Sequence, residues 1–286
     1  MRLGGHFHHA ATMADFDKLC YDLDTHGLSC VSAPDVSSMN DDELIAYGEE
    51  ARKRNIVIGE TGMWANLMTA NADDQTGRIG MARDMLVRSD TMGCRSVVTL
   101  VGSKHASDHS LAMHPFMKTQ GAKDEFYDVV MRILDGLDLK TTKYIIEPWH
   151  NTFFYKPEDI KAFIDRVDHP AFGLHLDQMN MVSQDDFFDT TSLIDTTFDL
   201  LADKVFSVHL KDIREDYTHM FLKWDEVYIG DGVMDYDRYL KRLAQLPEDV
   251  PCYCEHMSLE TEFSLCFARL HHLASKAGVA FKRRDA

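Results

Sequence analysis

Apolar positions along the chain follow two different periods. Short continuous apolar runs, which indicate strands covered on both faces, are separated by longer segments with apolar residues every three or four positions, which indicate helices. The short runs predict eight strands, at 2–9, 28–31, 56–60, 96–101, 143–147, 172–177, 204–210 and 251–255. The longer segments predict eight helices, at 15–26, 41–54 and 73–92, across 126–137, from 157, and at 191–202, 236–244 and after 258.

Several helix ends carry recognisable signals. Asn40, followed by Glu43, predicts a capping-box start for the second helix. Ser258 is the predicted cap of the last helix. Glycine is typical of the residue just after a helix, and it stands in that place at Gly27, Gly93 and Gly278.

The strict alternation of strand and helix predicts the fold. Because crossovers between parallel strands are right-handed, eight such units close into a single (β/α)8 TIM barrel, an α/β fold. We expect one domain over residues 1–286, since no linker or repeat interrupts the pattern. Two irregular segments remain, at 103–123 and 211–233, and the length of the first predicts a lid or pocket wall.

Composition narrows the class of protein. The 286 residues are 45% hydrophobic, enough for a large core, and the formal net charge of −17 disfavours binding to nucleic acid. No apolar run approaches membrane-spanning length and no signal-peptide pattern opens the chain, so we expect neither membrane association nor secretion. The six scattered cysteines fit a reducing cytoplasm, which is the expected location.

Four predicted strands end in a side chain that can bind a metal ion. Glu147, Asp177, His209 and Glu255 stand at the ends of the fifth to eighth strands, where the active sites of such barrels lie. Three carboxylates and one imidazole favour Mn²⁺, with Mg²⁺ or Co²⁺ as alternatives, over a structural zinc. The competing interpretation is that these are ordinary strand-end residues engaged in hydrogen bonds.

Such a cation predicts a particular chemistry. When bound to a carbonyl and an adjacent hydroxyl, it would stabilise an enediolate and so acidify the carbon-bound proton between them. Glu147 and Glu255 are the candidates to remove and return that proton.

The second half of the chain resembles a known superfamily. The order Glu147-Pro, Gly-Leu-His-Leu-Asp177, Val-His209-Leu-Lys-Asp with a following Arg214, Gly-Asp-Gly-Val-Met-Asp-Tyr and Glu255-His is similar to the sugar-phosphate isomerase/epimerase superfamily. This xylose-isomerase-like barrel group contains tagatose and psicose 3-epimerases, hydroxypyruvate isomerase and inosose dehydratase. The resemblance implies metal ligation by the four strand-end residues, acid/base roles for the two Glu, and contact of Arg214 with substrate oxygens.

One position departs from the pattern of the ketose epimerases. They carry a His three residues after the metal-binding Asp, where this chain has Asn180. His150 is the candidate pocket acid/base to replace it, against a loop histidine with a structural hydrogen bond. His175 faces the predicted site by its parity with Asp177, against a core histidine.

Further side chains complete the predicted substrate site. Trp149 and Lys211 stand near the predicted mouth, and His8 is a candidate substrate contact on the first strand. Trp149, Trp64 and Phe7 could wall the pocket, although core packing explains aromatic residues equally well. His6 and His8 share a strand face, which leaves open a second metal.

Three functions remain open at the level of sequence. The first is a metal-dependent sugar isomerase or epimerase, and the second is a lyase that eliminates water or an aglycone from a 3-oxo sugar. The third is a carbohydrate-binding barrel without activity. We expect a sugar or oxo-glycoside as ligand and a homo-oligomer. The resemblance to enzymes that cleave C-glycosides adds a hetero-oligomer with a small β-rich subunit as an alternative.

Overall fold

Eight parallel strands form one sheet in the part of the chain that the computed structural model describes, residues 1–5 and 8–285. They are β1 Arg2–Gly5, β2 Cys30–Ser32, β3 Val57–Met63, β4 Ser96–Thr99, β5 Lys143–Ile146, β6 Phe172–Asp177, β7 Val205–Leu210 and β10 Pro251–Cys254, while β8 Asp212–Glu215 and β9 Trp224–Val227 form a separate pair. Their order in the sheet is β1-β10-β7-β6-β5-β4-β3-β2, and Ser29 N–H, directly before β2, donates to Leu3 O of β1 at 2.9 Å. The predicted barrel is therefore confirmed.

Helices follow the barrel strands and cover them. They are α1 Phe16–His26, α2 Asp41–Lys53, α3 Ala72–Met92, α4 Gln120–Leu134, α5 Pro157–Val167, α6 Thr190–Leu201, α7 Tyr236–Leu243 and α8 Glu260–Ala277. Asn40 caps α2 and forms the predicted capping box with Glu43. The helix-ending glycines Gly27, Gly93 and Gly278 adopt the left-handed conformation that glycine tolerates best.

The structure corrects two predictions about the ends of elements. The N-cap of α8 is Leu259 rather than Ser258, because the Glu262 carboxylate accepts the backbone N–H of both residues. Among the described residues, the first strand covers Arg2–Gly5, and His8 and His9, which were predicted to belong to it, are not in a strand. His6 and Phe7, and with them the second-metal and wall predictions, lie outside the described residues.

The segment predicted as irregular at 211–233 contains an antiparallel hairpin, β8 Asp212–Glu215 with β9 Trp224–Val227. Its base is closed by the buried Asp212 carboxylate, which accepts the backbone N–H of Gly230, Gly232 and Met234 at 2.9, 3.0 and 3.1 Å. A Cβ at Gly232 would lie 2.1 Å from Asp212 Oδ1, so this approach requires glycine. The hairpin therefore stands in a fixed place beside the end of β7.

The apolar core lies between the sheet and the helices. Strands β4, β5 and β6 are buried along nearly their whole length, as expected for a parallel sheet covered on both faces. Within the described ranges, no helix combines the length and the apolar character that crossing a lipid bilayer requires.

Candidate metal centre

Four side chains converge at the carboxyl end of the barrel. Asp177 ends β6 and His209 lies in β7, while Glu147 and Glu255 directly follow β5 and β10. These four strands are neighbours in the sheet, and one potential ligand atom from each residue lies within 4.8 Å of the others. All four residues are at least nine-tenths buried. The sequence prediction that these side chains come together is thus met by the geometry.

A lysine provides a positive charge for this acidic cluster. Lys211 Nζ lies 2.8 Å from Asp177 Oδ2 and 3.9 Å from Glu147 Oε1, and it also contacts Glu255 Oε1. The ammonium group is buried with them, so the cluster holds a cation of its own. Three carboxylates around one positive charge, with an imidazole beside them, are a donor set that suits a hard divalent ion.

The carboxylates differ in their electrostatic surroundings. Burial raises the pKa of Glu147 to about 8, against the opposing effect of Lys211 and His209. Burial acts in the same sense on Glu255, but His209 and Lys211 outweigh it and hold the pKa of that carboxyl well below its usual range. The two glutamates are therefore inequivalent before any ion binds.

Asn180 supports two of the four residues. Its side-chain amide donates to Glu147 Oε1 at 2.7 Å, and its backbone N–H donates to Asp177 Oδ1 at 3.2 Å. Asn180 is itself buried, on the turn after β6. At the position where the ketose epimerases carry a histidine, this chain therefore has an amide that orients the carboxylate of Glu147.

Glu60 is a site residue that the sequence prediction missed. It lies in β3 across the barrel, and its Oε1 accepts a hydrogen bond from His209 Nε2 at 2.9 Å while Ser207 donates to Oε2. The other ring nitrogen, His209 Nδ1, lies 2.8 Å from Glu255 Oε1 and faces the carboxylates. A carboxylate that holds the far nitrogen of a ligating histidine fixes the ring and raises its basicity.

His175 lies with Glu60 and His209 inside the barrel. Its Nδ1 is 3.5 Å from Glu60 Oε2, and its ring centre is 3.9 Å from that of His209. The residue is fully buried, and burial lowers the pKa of its imidazole to about 3. The structure thus places His175 next to a candidate ligand, and its predicted contact with substrate stays a prediction.

A cavity of about 550 Å³ opens above the cluster. Glu147 and Glu255 line it, whereas Asp177 and His209 are 0% and 1% exposed. Its other lining residues are Trp64, Leu100, Asp108, His109, Ser110, Leu111, Trp149, His256, Met257 and Phe263. The predicted wall aromatics Trp64 and Trp149 are therefore at the cavity.

The long segment at 103–123 forms part of the cavity wall, as predicted. Asn66 fixes its start, because its amide donates to Ser103 O at 2.8 Å and to Asp108 Oδ1 at 2.9 Å. Arg78 pairs with the same Asp108 carboxylate. Asp108 and the three residues after it then contribute to the wall.

Three predicted substrate or catalytic residues lie further out. His150 has an exposed side chain, and its backbone carbonyl accepts from Lys118. The His8 ring packs edge-on against Phe263 and Phe267 of α8. Arg214 is exposed on β8 and lines a second cavity beside the first. The functional roles of these three residues stay predictions.

Comparison with known proteins identifies the family. A search of curated proteins gave no match, but residues 20–267 match the family described as xylose isomerase-like TIM barrel. This range includes the four clustered residues, together with Glu60 and Lys211.

Solved structures with low sequence identity share the fold. The probable 3-DHS dehydratase AsbF from Bacillus anthracis is 15% identical with a TM-score of 0.69, covering 94% of this chain and 98% of its own. D-Psicose 3-epimerase from Clostridium cellulolyticum H10, solved with D-tagatose, is 13% identical with a TM-score of 0.67, at 96% and 99% coverage. The IolI protein with a bound zinc atom is 16% identical with a TM-score of 0.66, at 97% and 96% coverage. Because the family match covers most of its length, the chain belongs to the xylose isomerase-like TIM barrel family.

Proposed function

We propose that this protein is a divalent-metal-dependent sugar isomerase or epimerase. The observation that carries the proposal is the convergence of Glu147, Asp177, His209 and Glu255 at the floor of a cavity. The same arrangement supports Mn²⁺ as the ion, with Mg²⁺ as the alternative, because three of the four donors are carboxylates. Epimerase, dehydratase and metal-bound proteins among the structural neighbours support the proposal.

The chemistry divides between the ion and the side chains. When bound, a divalent cation supplies Lewis-acid stabilisation of negative charge on a carbonyl oxygen. Glu147 and Glu255 both line the cavity, so either carboxylate can reach a substrate proton. One glutamate takes the proton from the carbon beside the carbonyl, and the electron pair of that bond moves into an enediolate. The other returns a proton, to the opposite face of that carbon in an epimerase.

The surrounding side chains hold these carboxylates in place. Asn180 fixes Glu147 through its amide, and Glu60 fixes His209 from the opposite side of the barrel. Lys211 balances part of the negative charge, which lowers the cost of burying three carboxylates together. A preorganised site of this kind needs little rearrangement when a substrate enters.

A lyase that acts on a 3-oxo sugar is the second candidate. It shares the first proton abstraction, after which the electron pair expels a β-substituent as water or an aglycone. Asn180 stands where the ketose epimerases carry a histidine, and its amide binds the Glu147 carboxylate rather than pointing into the cavity toward a substrate. The loss of that histidine favours the lyase. The size of the cavity, about 550 Å³, also leaves room for more than a single sugar ring.

The experiment is proton exchange with solvent. The protein is incubated with Mn²⁺ and a panel of ketoses, aldoses and 3-oxo glycosides in D₂O, and the products are examined by NMR and mass spectrometry. Deuterium beside the carbonyl with conserved mass identifies an isomerase or epimerase, and loss of water or an aglycone identifies the lyase. Absence of exchange with every member of the panel would contradict both and favour a binding protein.

The two glutamates provide the mutational test. We expect Glu147→Gln and Glu255→Gln each to lower turnover by at least about 10³-fold, because a general base and a negative charge at the metal site are lost together. Glu50→Gln on α2, whose carboxylate pairs with Arg54 at 2.5 Å, is the control and should keep the wild-type rate. A turnover rate close to wild type in Glu147→Gln or in Glu255→Gln would contradict the two-carboxylate mechanism.

A further inference from the structure

A second cavity lies next to the one above the metal centre. It measures about 470 Å³ and lies between the hairpin strand β9, the segment after it, and the start of α8. His256 and Met257 line both cavities. The two spaces are therefore neighbouring compartments with a common wall of two residues directly after Glu255.

The shared wall is held by the hairpin. His256 Nδ1 lies 2.9 Å from Glu226 Oε2 on β9, and its Nε2 lies 3.8 Å from Glu255 Oε1. Its backbone has a φ of 59°, a left-handed conformation that is uncommon for a residue other than glycine and concentrates at functional sites. Contact with the hairpin thus sets where the first compartment ends and the second begins.

The second compartment offers both hydrogen-bond donors and acceptors. Arg214 reaches it from β8, and its guanidinium forms no ion pair or hydrogen bond with any residue that the structure describes. Ser258 contributes a hydroxyl, and the Glu226 and Glu262 carboxylates contribute acceptors. A ring that carries several hydroxyl groups needs both kinds of partner.

Tyr228 gives this compartment an aromatic surface. Its hydroxyl donates to Glu262 Oε1 at 2.6 Å, which fixes the side chain, and the residue is 36% exposed. An aromatic face beside polar groups is typical of sites where sugar or aryl rings pack. Glu226 is paired with His256, and Asp231 lies 2.9 Å from Arg269. Among the described residues, the lining therefore leaves one carboxylate, of Glu262, and one guanidinium, of Arg214, without an ionic partner, so it offers no surplus of positive charge to an anionic ligand.

We propose that the second compartment binds the non-reacting ring of a neutral, two-ring glycoside whose reacting sugar lies over the metal centre. The inference rests on the proposed function, because it takes the first compartment as the place of reaction. It deepens that function by naming the substrate class: a neutral sugar linked to a second sugar or to an aryl group, rather than a free monosaccharide or a sugar phosphate.

Binding can be measured separately from reaction. Affinities are determined by NMR titration, with Mg²⁺ as a diamagnetic ion, for D-glucose, D-galactose and D-mannose and for the phenyl β-glycoside of each. We expect the phenyl glycoside to bind at least about tenfold more tightly than the free sugar in at least one pair. 4-Carboxyphenyl β-D-glucoside, which carries a carboxylate on the non-reacting ring, should bind no more tightly than phenyl β-D-glucoside, because the second compartment has no surplus of positive charge.

Two substitutions at one position isolate the aromatic contact. Tyr228→Ala should lower the affinity for the phenyl glycoside by about three- to tenfold, and more than the affinity for the free sugar. Tyr228→Phe keeps the ring and loses only the bond to Glu262, so it should retain the preference. Arg214→Gln should weaken the binding of glycosides while leaving the melting temperature unchanged, since the Arg214 guanidinium has no bond to lose within the described chain.

The outcomes separate the two proposals. If no pair shows a preference for two rings, or if Tyr228→Ala weakens free sugar and glycoside equally, the second subsite is wrong. Exchange of a C–H proton in D₂O without any preference for two-ring ligands would contradict the second subsite and support the proposed reaction. A preference for two-ring ligands that depends on Tyr228, without exchange of a C–H proton, would contradict the proposed reaction and support the second subsite.

Discussion

The two ends of the barrel use charged residues in opposite ways. At the amino end the buried Arg2 is bonded to Asp249 and twice to Asn55, at 2.7 to 3.0 Å, which joins the starts of three strands. At the same end the Asp90 carboxylate accepts the backbone N–H of Lys140, Thr141 and Thr142. At the carboxyl end, three buried carboxylates share Lys211 and His209.

This difference separates stability from function. Charges at the amino end are matched by hydrogen bonds to the chain itself, so they stabilise the fold without a ligand. Charges at the carboxyl end are concentrated at the floor of a cavity, where carboxylates outnumber Lys211 and this excess of buried negative charge is costly unless a further cation binds. We therefore expect substitutions at one end to change unfolding and substitutions at the other to change metal binding.

The largest expected effect concerns the lysine in the candidate metal centre. Lys211→Met removes the internal cation, so the free energy of unfolding in chelator should fall by about 3–5 kcal/mol, because three buried carboxylates lose their partner. Saturating Mn²⁺ should restore most of that loss. Denaturant unfolding with and without the ion measures both. Lys161→Met, from the ion pair with Asp165 on α5, is the control, and an equal loss with and without Mn²⁺ would contradict the prediction.

A smaller effect is expected across the barrel. Glu60→Gln keeps the shape of the side chain but weakens the charged contact with His209, so affinity for Mn²⁺ should fall by about 10- to 100-fold. Isothermal titration calorimetry measures it directly. Thr99→Val removes another buried hydrogen bond, to Tyr144, and should leave affinity unchanged. Wild-type affinity in Glu60→Gln would mean that the carboxylate does not act through the histidine.

The smallest effect tests the amino end and depends on pH. Burial raises the pKa of Asp90, but the backbone N–H groups of Lys140, Thr142 and Thr141 outweigh it, so the pKa lies below its ordinary value. The stability that Asp90 contributes is therefore complete above the unfolded-state pKa of about 3.9 and is lost as pH falls through the folded-state pKa. Asp90→Asn should cost about 1 kcal/mol at neutral pH.

That cost should shrink below about pH 4, when the wild-type carboxylate also becomes neutral. Denaturant unfolding of wild type and Asp90→Asn over a series of acidic pH values provides the measurement, and Mn²⁺ affinity at neutral pH should be equal in the two proteins. A difference in stability that stays constant through the acid range would show that the charge of Asp90 is not what holds the loop.

The sequence predicted those parts of the site that depend on local pattern. Strand ends are visible as the limits of apolar runs, so Glu147, Asp177 and Glu255 could be located without coordinates. Parallel strands of a barrel finish on the same side, which brought the three residues together in the prediction. The capping box at Asn40 was predictable for the same reason, because its partners are three residues apart.

Features that depend on contacts across the barrel could not be predicted. Glu60 and His209 are 149 residues apart, and only closure of the sheet brings them into contact. The hairpin was missed because β8 and β9 are short and rich in charge, without the alternation of apolar and polar residues that indicates a strand. Arg214 was named for its motif, but its position in a neighbouring cavity follows from that hairpin.

The closed base of the hairpin has a consequence for how this barrel can change. Because Asp212 ties the chain back onto Gly230, Gly232 and Met234, the segment between them enters and leaves at nearly one point. Insertions or replacements at its outer tip, where Tyr217, Met220 and Phe221 are exposed, would leave β7 and α7 in register. The hairpin is thus a place where we expect the chain to accept changes of length and sequence without a change in the barrel.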